Sequence, residues 1–125
     1  MIEYLVSYAR LLAGEKRRFD EAEVRDLVRR DVERADNIAA LQNHDLLEHG
    51  DDERREPLSS IEAPTLVIHG TADPIFPFPH GIALAGEIPN ARLLPLAGAG
   101  HGVHRADWET VTEATGTHTA ASEVN

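Results

Sequence analysis

The chain has 125 residues, 42% of them apolar, which fits one small globular domain rather than a disordered segment. Its formal net charge of −10 makes nucleic acid and anionic membrane surfaces poor partners, because phosphate binding requires clustered lysine and arginine. The absence of cysteine excludes disulfides, thiolate chemistry and cysteine-bound zinc, and it suits a cytoplasmic protein. No apolar run reaches the length of a membrane span, and the first residues lack the basic region of a secretory signal.

The first half of the chain has the periodicity of charged, amphipathic helices. Apolar residues recur at three- and four-residue spacing over Ile2–Ala13, which predicts a helix that ends at Gly14. A second helix is expected to begin after Asp20, because this residue is a good N-cap and Glu23 follows three positions later. The apolar pattern then resumes and predicts further helix over 38–47.

The second half of the chain changes to short apolar runs separated by turns rich in glycine and proline. Thr65–Ile68 is a β-branched run without alternation, typical of a strand covered on both faces in a parallel sheet. The alternation of strands and helices predicts parallel strands joined by crossover helices, and therefore an α/β fold. The later predicted elements are a helix over Gly81–Glu87, a strand over Ala91–Leu96 and a helix over Trp108–Ala114. The predicted segments are a helical part (1–50), a charged linker (51–62), an α/β part (63–115) and a frayed tail (116–125).

Two loops that follow the predicted strands carry the candidate catalytic residues. Asp73 lies in the loop after the first strand, and His101 lies between glycines in the loop after the second. Since the carboxyl ends of parallel strands meet at one edge of a sheet, these two side chains can meet there if the two strands are neighbours. A carboxylate against imidazole Nδ1–H fixes the tautomer and leaves the other ring nitrogen free to act as a general base.

The order of these motifs resembles the C-terminal part of an α/β-hydrolase. The motifs are Ala-Pro-Thr-Leu-Val-Ile-His-Gly-x-x-Asp-Pro (63–74), Ile-Pro-x-Ala (88–91) and Gly-x-Gly-His (98–101). The triad of that family has the chain order serine, acid, histidine, so the resemblance implies Asp73 as the orienting acid and His101 as the base. It also implies hydrolysis of a small ester-like substrate without a metal or organic cofactor, and a sheet that is incomplete in this chain.

Three shorter motifs in the first half are similar to the helical lid of bacterial hydrolases of the aclacinomycin methylesterase type. They are Phe19–Ala22, Arg30–Ala35 and Asn43–Asp45. With them the resemblance spans nearly the whole chain, and it implies that residues 1–50 form a lid or cap. His44 then either faces a substrate pocket under the lid or is simply a histidine at a helix end.

The nucleophile of the family has no counterpart in this sequence. The family places it in a Gly-x-Ser-x-Gly elbow after an earlier strand. None of the four serines, at positions 7, 59, 60 and 122, has that glycine pattern, and no segment resembles an oxyanion loop. We therefore expect the chain to correspond to a serine-type hydrolase without its first half, and to be inactive alone. The alternative is a small, non-catalytic protein that binds a partner or a small ligand, with an exposed strand edge that favours self-association or pairing with a partner.

Each candidate residue also has a simpler structural interpretation. An aspartate such as Asp73 often only bonds its own backbone in a turn, and Asp107 is a rival acid that looks more like a helix cap. His101 and His104 have the spacing of two metal ligands, but the chain lacks a His-Glu-x-x-His motif, so no metal site is predicted. His69 is expected to cap the end of the first strand through a polar contact with the backbone.

Overall fold

The computed structural model describes residues 1–40 and 56–122 of the chain. In chain order the elements are α1 (Ile2–Ala13), α2 (Glu21–Arg34), β1 (Thr65–Gly70), α3 (Phe78–Glu87), β2 (Ala91–Leu96) and α4 (Trp108–Ser122). Two short 3₁₀ helices, Leu58–Ser60 and Arg105–Asp107, precede β1 and α4. Among the described elements, no helix is both long and apolar enough to cross a bilayer. The motif with His44 and most of the helix predicted over 38–47 lie outside the described residues.

Strands β1 and β2 pair in parallel, as the alternation of strands and helices predicts. The register runs from Thr65 opposite Ala91 to Gly70 opposite Leu96, so both strands end at the same level. Helix α3 connects them and packs against both strands. The predicted α/β fold, with an open and incomplete sheet of two parallel strands, is therefore confirmed, and the loops after both strands leave the same edge.

The helical part of the chain follows its local sequence signals. Helix α1 occupies Ile2–Ala13 as predicted, and Gly14 ends it with a φ of 71°, although its ψ of −177° differs from a left-handed helical value. Helix α2 begins after Asp20, whose Oδ1 accepts a hydrogen bond from the backbone N–H of Glu23 at 3.1 Å. This confirms the predicted N-cap, a contact that typically stabilises a helix by about 1 kcal/mol.

Two element boundaries in the α/β part differ from the sequence-based prediction. Strand β1 extends beyond Ile68, because His69 and Gly70 still pair with β2. Helix α3 begins at Phe78 rather than at Gly81, with Pro79 in its first turn. Proline is accepted there because the first turn of a helix does not need its N–H group.

The last helix corrects the prediction of a frayed tail for residues 116–122, while the rest of that predicted tail lies outside the described residues. Helix α4 continues past the predicted end at Ala114 and runs to Ser122. His118 Nε2 lies 3.2 Å from the carbonyl oxygen of Pro64, which ties the second half of the helix to the start of the α/β part. The small polar residues of this segment favour fraying, but the backbone stays helical to Ser122 and the contact with Pro64 holds the helix against the α/β part.

The core of the described residues is small. Five apolar residues are buried, namely Val6, Ala13, Ile88, Leu96 and Ala99. Larger apolar side chains are exposed, including Ile75, Phe76, Ile82, Leu84 and Trp108. The side chains of β1 are only half-buried, although the apolar sequence of this strand is typical of one covered on both faces.

Candidate active site

Asp73 lies in the turn that follows β1, and its two carboxylate oxygens have different partners. Oδ1 accepts hydrogen bonds from the backbone N–H groups of Ile75 and Phe76, at 2.7 and 2.9 Å. This is the local turn that an aspartate forms with its own backbone. Oδ2 faces the loop after β2, and the side chain is only 5% exposed. Oδ1 thus holds the local turn, and Oδ2 is free to bind a side chain of the neighbouring loop.

The surroundings of Asp73 favour its ionised form. Burial opposes ionisation, because a charge is less stable away from water. The N–H group of Phe76, the imidazole of His101 and the N–H group of Ile75 together outweigh burial and hold the pKa of Asp73 below its ordinary value. The side chain is therefore an anion at neutral pH, which is the state that an orienting carboxylate requires.

His101 follows β2 and meets Asp73 between the two loops. Its Nδ1 is 2.8 Å from Asp73 Oδ2, and its side chain is 36% exposed. The ring also lies against Phe76, with ring centroids 5.4 Å apart. Because Nδ1 must carry a proton to donate to an ionised carboxylate, Nε2 of the neutral ring can accept one. The structure thus brings together the two residues whose loops the sequence places at one sheet edge.

Backbone hydrogen bonds join the two loops to each other. The N–H of Ala72 donates to the carbonyl of Ala99 at 2.9 Å, and the N–H of Thr71 donates to the carbonyl of Leu96 at 3.0 Å. The hydroxyl of Thr71 accepts a hydrogen bond from the N–H of Gly98 at 2.7 Å. The spacing between acid and histidine therefore does not depend on a single side-chain contact.

The end of α1 lies directly against the histidine loop. The backbone N–H of His101 donates to the carbonyl of Leu12 at 2.7 Å. A Cβ at Gly100 would overlap the carbonyls of Leu12 and Ala13, so this approach requires glycine. Glycine at position 100 thus allows the backbone of α1 to contact the loop that carries His101.

Asp107, the rival acid, takes part in a different contact. Its position just before α4 is that of the predicted helix cap, but its carboxylate Oδ2 lies 2.6 Å from Nη1 of Arg17. Only 6% of its side chain is exposed. A nearly buried carboxylate that is already paired with a guanidinium does not compete with Asp73 for the histidine.

His69 lies near the end of β1, next to the acid, and contacts the backbone as predicted. Its Nε2 lies 2.8 Å from the carbonyl oxygen of Phe76 and 3.8 Å from Asp73 Oδ2. Phe76 in turn donates its N–H to Asp73. His69 therefore supports the turn that holds the acid, while the shorter contact to the carboxylate belongs to His101.

A cavity of about 200 Å³ lies beside the acid–histidine pair. Both loops line it, together with Ile68 from β1 and the side chains of Phe76 and Val103. Sites for drug-sized ligands typically measure about 300–1,000 Å³, so this cavity accounts for only part of a substrate site. No serine is among the described residues that line it, and the described ranges contain no group of three side chains suited to a metal ion.

Comparison with known proteins shows the family to which this chain is related. Residues 44–123 match the α/β-hydrolase family model described as "TAP-like protein". The chain belongs to the α/β-hydrolase family. The matched region contains both strands and both loops of the candidate site, which confirms the family that the motifs around Asp73 and His101 resemble.

The related α/β-hydrolases are longer than this chain. Rhodomycin D methylesterase DauP of Streptomyces sp. (strain C5) is 32% identical over 127 residues, covering 99% of this chain and 42% of the relative. Rhodomycin D methylesterase DnrP of Streptomyces peucetius has the same identity and coverage. The AB hydrolase superfamily protein YisY of Bacillus subtilis is 36% identical over 61 residues, covering 49% of this chain and 23% of the relative. The chain thus spans about two fifths of the length of the methylesterases.

Three residues of this α/β-hydrolase site were missed by the sequence analysis. Thr71 joins the two loops, Phe76 contacts both the acid and the histidine ring, and Arg17 holds Asp107. A hydroxyl residue directly after a strand is a recognisable turn signal, and Thr71 could have been found in that way. Arg17 carries no such signal, because it stands in a run of charged residues and its partners are distant in sequence.

Proposed function

We propose that this chain supplies the acid and the base of a serine-type α/β-hydrolase triad, with Asp73 as the acid and His101 as the base. The observation that carries the proposal is the 2.8 Å contact between His101 Nδ1 and Asp73 Oδ2. Two backbone N–H groups hold the second carboxylate oxygen, which opposes rotation of the acid away from the ring. A triad carboxylate holds its imidazole in the same way, in the tautomer with a free Nε2.

In the proposed reaction, His101 Nε2 accepts the proton of a serine hydroxyl as the serine oxygen attacks the carbonyl carbon of an ester. Ionised Asp73 stabilises the imidazolium, which then gives the proton to the departing alcohol. Water attacks the acyl-serine in the second stage, and His101 again takes the proton and returns it to the serine oxygen. The products are a carboxylic acid and an alcohol, and neither stage requires a metal or an organic cofactor.

The proposal assigns the serine and the oxyanion donors to polypeptide other than these 125 residues. No serine of the sequence has the Gly-x-Ser-x-Gly pattern, and none lines the described cavity. The chain also spans only about two fifths of the methylesterases that it matches. Without a nucleophile and oxyanion donors the largest catalytic contributions are missing, so the chain alone is expected to have no triad-dependent activity.

Carboxylic esters of small alcohols are the proposed substrates. Two relatives with 32% identity over nearly the whole chain are named methylesterases. The apolar side chains of Phe76 and Val103 beside His101 suit the acyl part of such an ester better than a charged group. We further propose that residues 1–50 act as a lid of the whole hydrolase, because their motifs resemble the helical lid of bacterial methylesterases.

A fusion protein provides the test of this function. This chain is joined to the part of methylesterase DnrP that it does not match, and methanol release from methyl esters is measured for the fusion and for the chain alone. We expect activity only in the fusion, complete loss with His101→Ala, and a fall in kcat of about 10⁴-fold with Asp73→Asn. His104→Ala, in the same loop, is the matched control and should keep the activity.

Two outcomes of this assay contradict the proposal. An active fusion that is unaffected by His101→Ala shows that this histidine is not the base. Activity in the chain alone that disappears with His101→Ala shows that the chain contains its own nucleophile.

A second candidate function, a non-catalytic binding protein, is favoured by one observation. The outer edge of β1 has no neighbouring strand among the described residues, and an apolar groove of about 470 Å³ lies beside it. Leu58, Val67 and Leu84 line this groove. An unpaired edge beside apolar surface favours strand pairing with a second copy of the chain. Sedimentation velocity over a range of concentrations tests this, because a chain that stays monomeric throughout does not self-associate.

A further inference from the structure

A single guanidinium group joins the two ends of the segment that carries His101. Arg17 lies in the connection between α1 and α2, and its Nε and Nη2 both donate to the carbonyl of Ala97, at 2.9 and 2.5 Å. Its Nη1 donates to Oδ2 of Asp107 at 2.6 Å. Ala97 directly follows β2, and Asp107 directly precedes α4. Arg17 therefore bridges the histidine loop at its base, from outside the α/β part.

The bridge is shielded from water at its Asp107 end, whereas its Ala97 end is exposed. Only 6% of the Asp107 side chain and 30% of the Arg17 side chain are exposed. A carboxylate this deeply buried needs a partner, because an unpaired charge in a protein interior is strongly unfavourable. Arginine suits this position because its planar group donates in several fixed directions at once, whereas the ammonium group of a lysine is a single point charge.

The same helical segment also contacts the loop at the histidine itself. The carbonyl of Leu12, in the last turn of α1, accepts the backbone N–H of His101 at 2.7 Å. The loop is thus held at its base by Arg17 and at His101 by α1, while Asp73 holds the imidazole ring. Two of these three contacts come from the helical part, so the direction of Nε2 depends on that part as well as on the sheet.

We propose that Arg17 is a positioning residue for His101. By bridging Ala97 and Asp107, it keeps the loop in the place where Nδ1 of the histidine meets the carboxylate of Asp73. The inference rests on the proposed function, since this placement matters for catalysis only if His101 is the base. Because Arg17 also ties the α1–α2 connection to the histidine loop, displacement of that connection displaces the imidazole.

The test is NMR spectroscopy of the ¹⁵N-labelled chain, with two readouts: the exchange rate of the His101 backbone amide and the tautomer of its imidazole. Arg17→Ala is expected to mix the two tautomers and to raise amide exchange roughly tenfold, as loss of one charge-assisted hydrogen bond does. Arg17→Lys keeps the charge and is expected to restore the Nδ1–H tautomer in part. Arg18→Ala replaces the neighbouring, exposed arginine and should leave both readouts as in the wild type.

Each outcome of this experiment decides the inference. A folded Arg17→Ala variant with wild-type exchange and tautomer at His101 overturns it. If Arg17→Ala does not fold, Asp107→Asn weakens the same bridge at its other end, and an unchanged histidine in that variant overturns the inference equally. Asp73→Asn separates the two proposals: an imidazole that it leaves unchanged contradicts the triad, whereas one that responds to Asp73→Asn but not to Arg17→Ala contradicts only the positioning role.

Discussion

The helical part and the α/β part of this hydrolase chain are held together by different kinds of interaction. Helices α1 and α2 are joined by exposed ion pairs, Arg10 with Glu21 at 2.5 Å and Arg25 with Glu3, and Arg25 also pairs with Glu21 of its own helix. The loops of the α/β part are joined by backbone hydrogen bonds and by the nearly buried carboxylate of Asp73. Water and salt screen exposed pairs, whereas buried charges and backbone bonds tolerate little displacement. The candidate catalytic pair belongs to the region with the stricter geometry.

The helical part and the α/β part meet at the end of α1, and the contacts there are a backbone hydrogen bond and an ion pair with a nearly buried carboxylate. The backbone of Leu12 approaches that of Gly100 closely, and Arg17 pairs with the nearly buried Asp107. If this contrast is correct, substitutions at the junction should have large effects, and substitutions at the exposed pairs should have small ones. Three stability measurements test it.

The largest effect is expected at Gly100. A methyl group there overlaps the carbonyl of Leu12, so Gly100→Ala must push α1 away from the histidine loop. We expect it to lower the free energy of unfolding by about 2–3 kcal/mol, the upper part of the usual range for overpacking. The matched control is Gly102→Ala, because a Cβ at Gly102 has no neighbour within 4 Å. Urea unfolding that gives both variants the same midpoint would show that the junction is loose.

A smaller effect is expected at Asp73, where burial offsets part of the gain from its hydrogen bonds. The pKa of this carboxyl is lower in the folded chain than its ordinary value of 3.8. Its ionised form therefore stabilises the fold above that pH, and the contribution disappears as the pH falls through the folded pKa. Asp73→Asn should consequently lose less stability than the wild type between about pH 5 and pH 2. Urea unfolding at a series of pH values measures this, and parallel losses in the two proteins would contradict it.

The smallest effect is expected at Arg10. Its ion pair with Glu21 is exposed on both sides, so solvent screening leaves little net interaction. Arg10→Ala should leave the urea midpoint unchanged within error, in low salt and in high salt alike. A loss as large as that of Gly100→Ala would show that the helical part is held as strictly as the loops, and the contrast between the two parts would be wrong.

The parts of this structure that follow from local or periodic patterns could be predicted from the sequence. Helix α1 and the N-cap at Asp20 depend on residues within a few positions of each other. Asp73 and His101 lie far apart in sequence, but each follows a recognisable strand. Parallel strands have their carboxyl ends at one edge of the sheet, so the meeting of the two side chains needs only one further long-range fact, that β1 and β2 are neighbours.

The features that could not be predicted depend on contacts between distant segments with no pattern of their own. Arg17 stands among other charged residues, and only the folded chain shows which of them reaches Ala97 and Asp107. The length of α4 was underestimated for the same reason. Its second half is poor in large apolar residues, and the contact of His118 with Pro64 appears only once the sheet is in place.

The register of the two strands has a consequence for how this chain can vary. Because Gly70 lies opposite Leu96, both loops leave the sheet at the same level, whatever the path of the chain between the strands. That path begins with the turn that carries Asp73 and Phe76, next to His101. It continues through helix α3 and a second turn that leads back to the start of β2. Insertions or deletions in that second turn can therefore reshape the neighbouring surface while the spacing between carboxylate and imidazole is preserved.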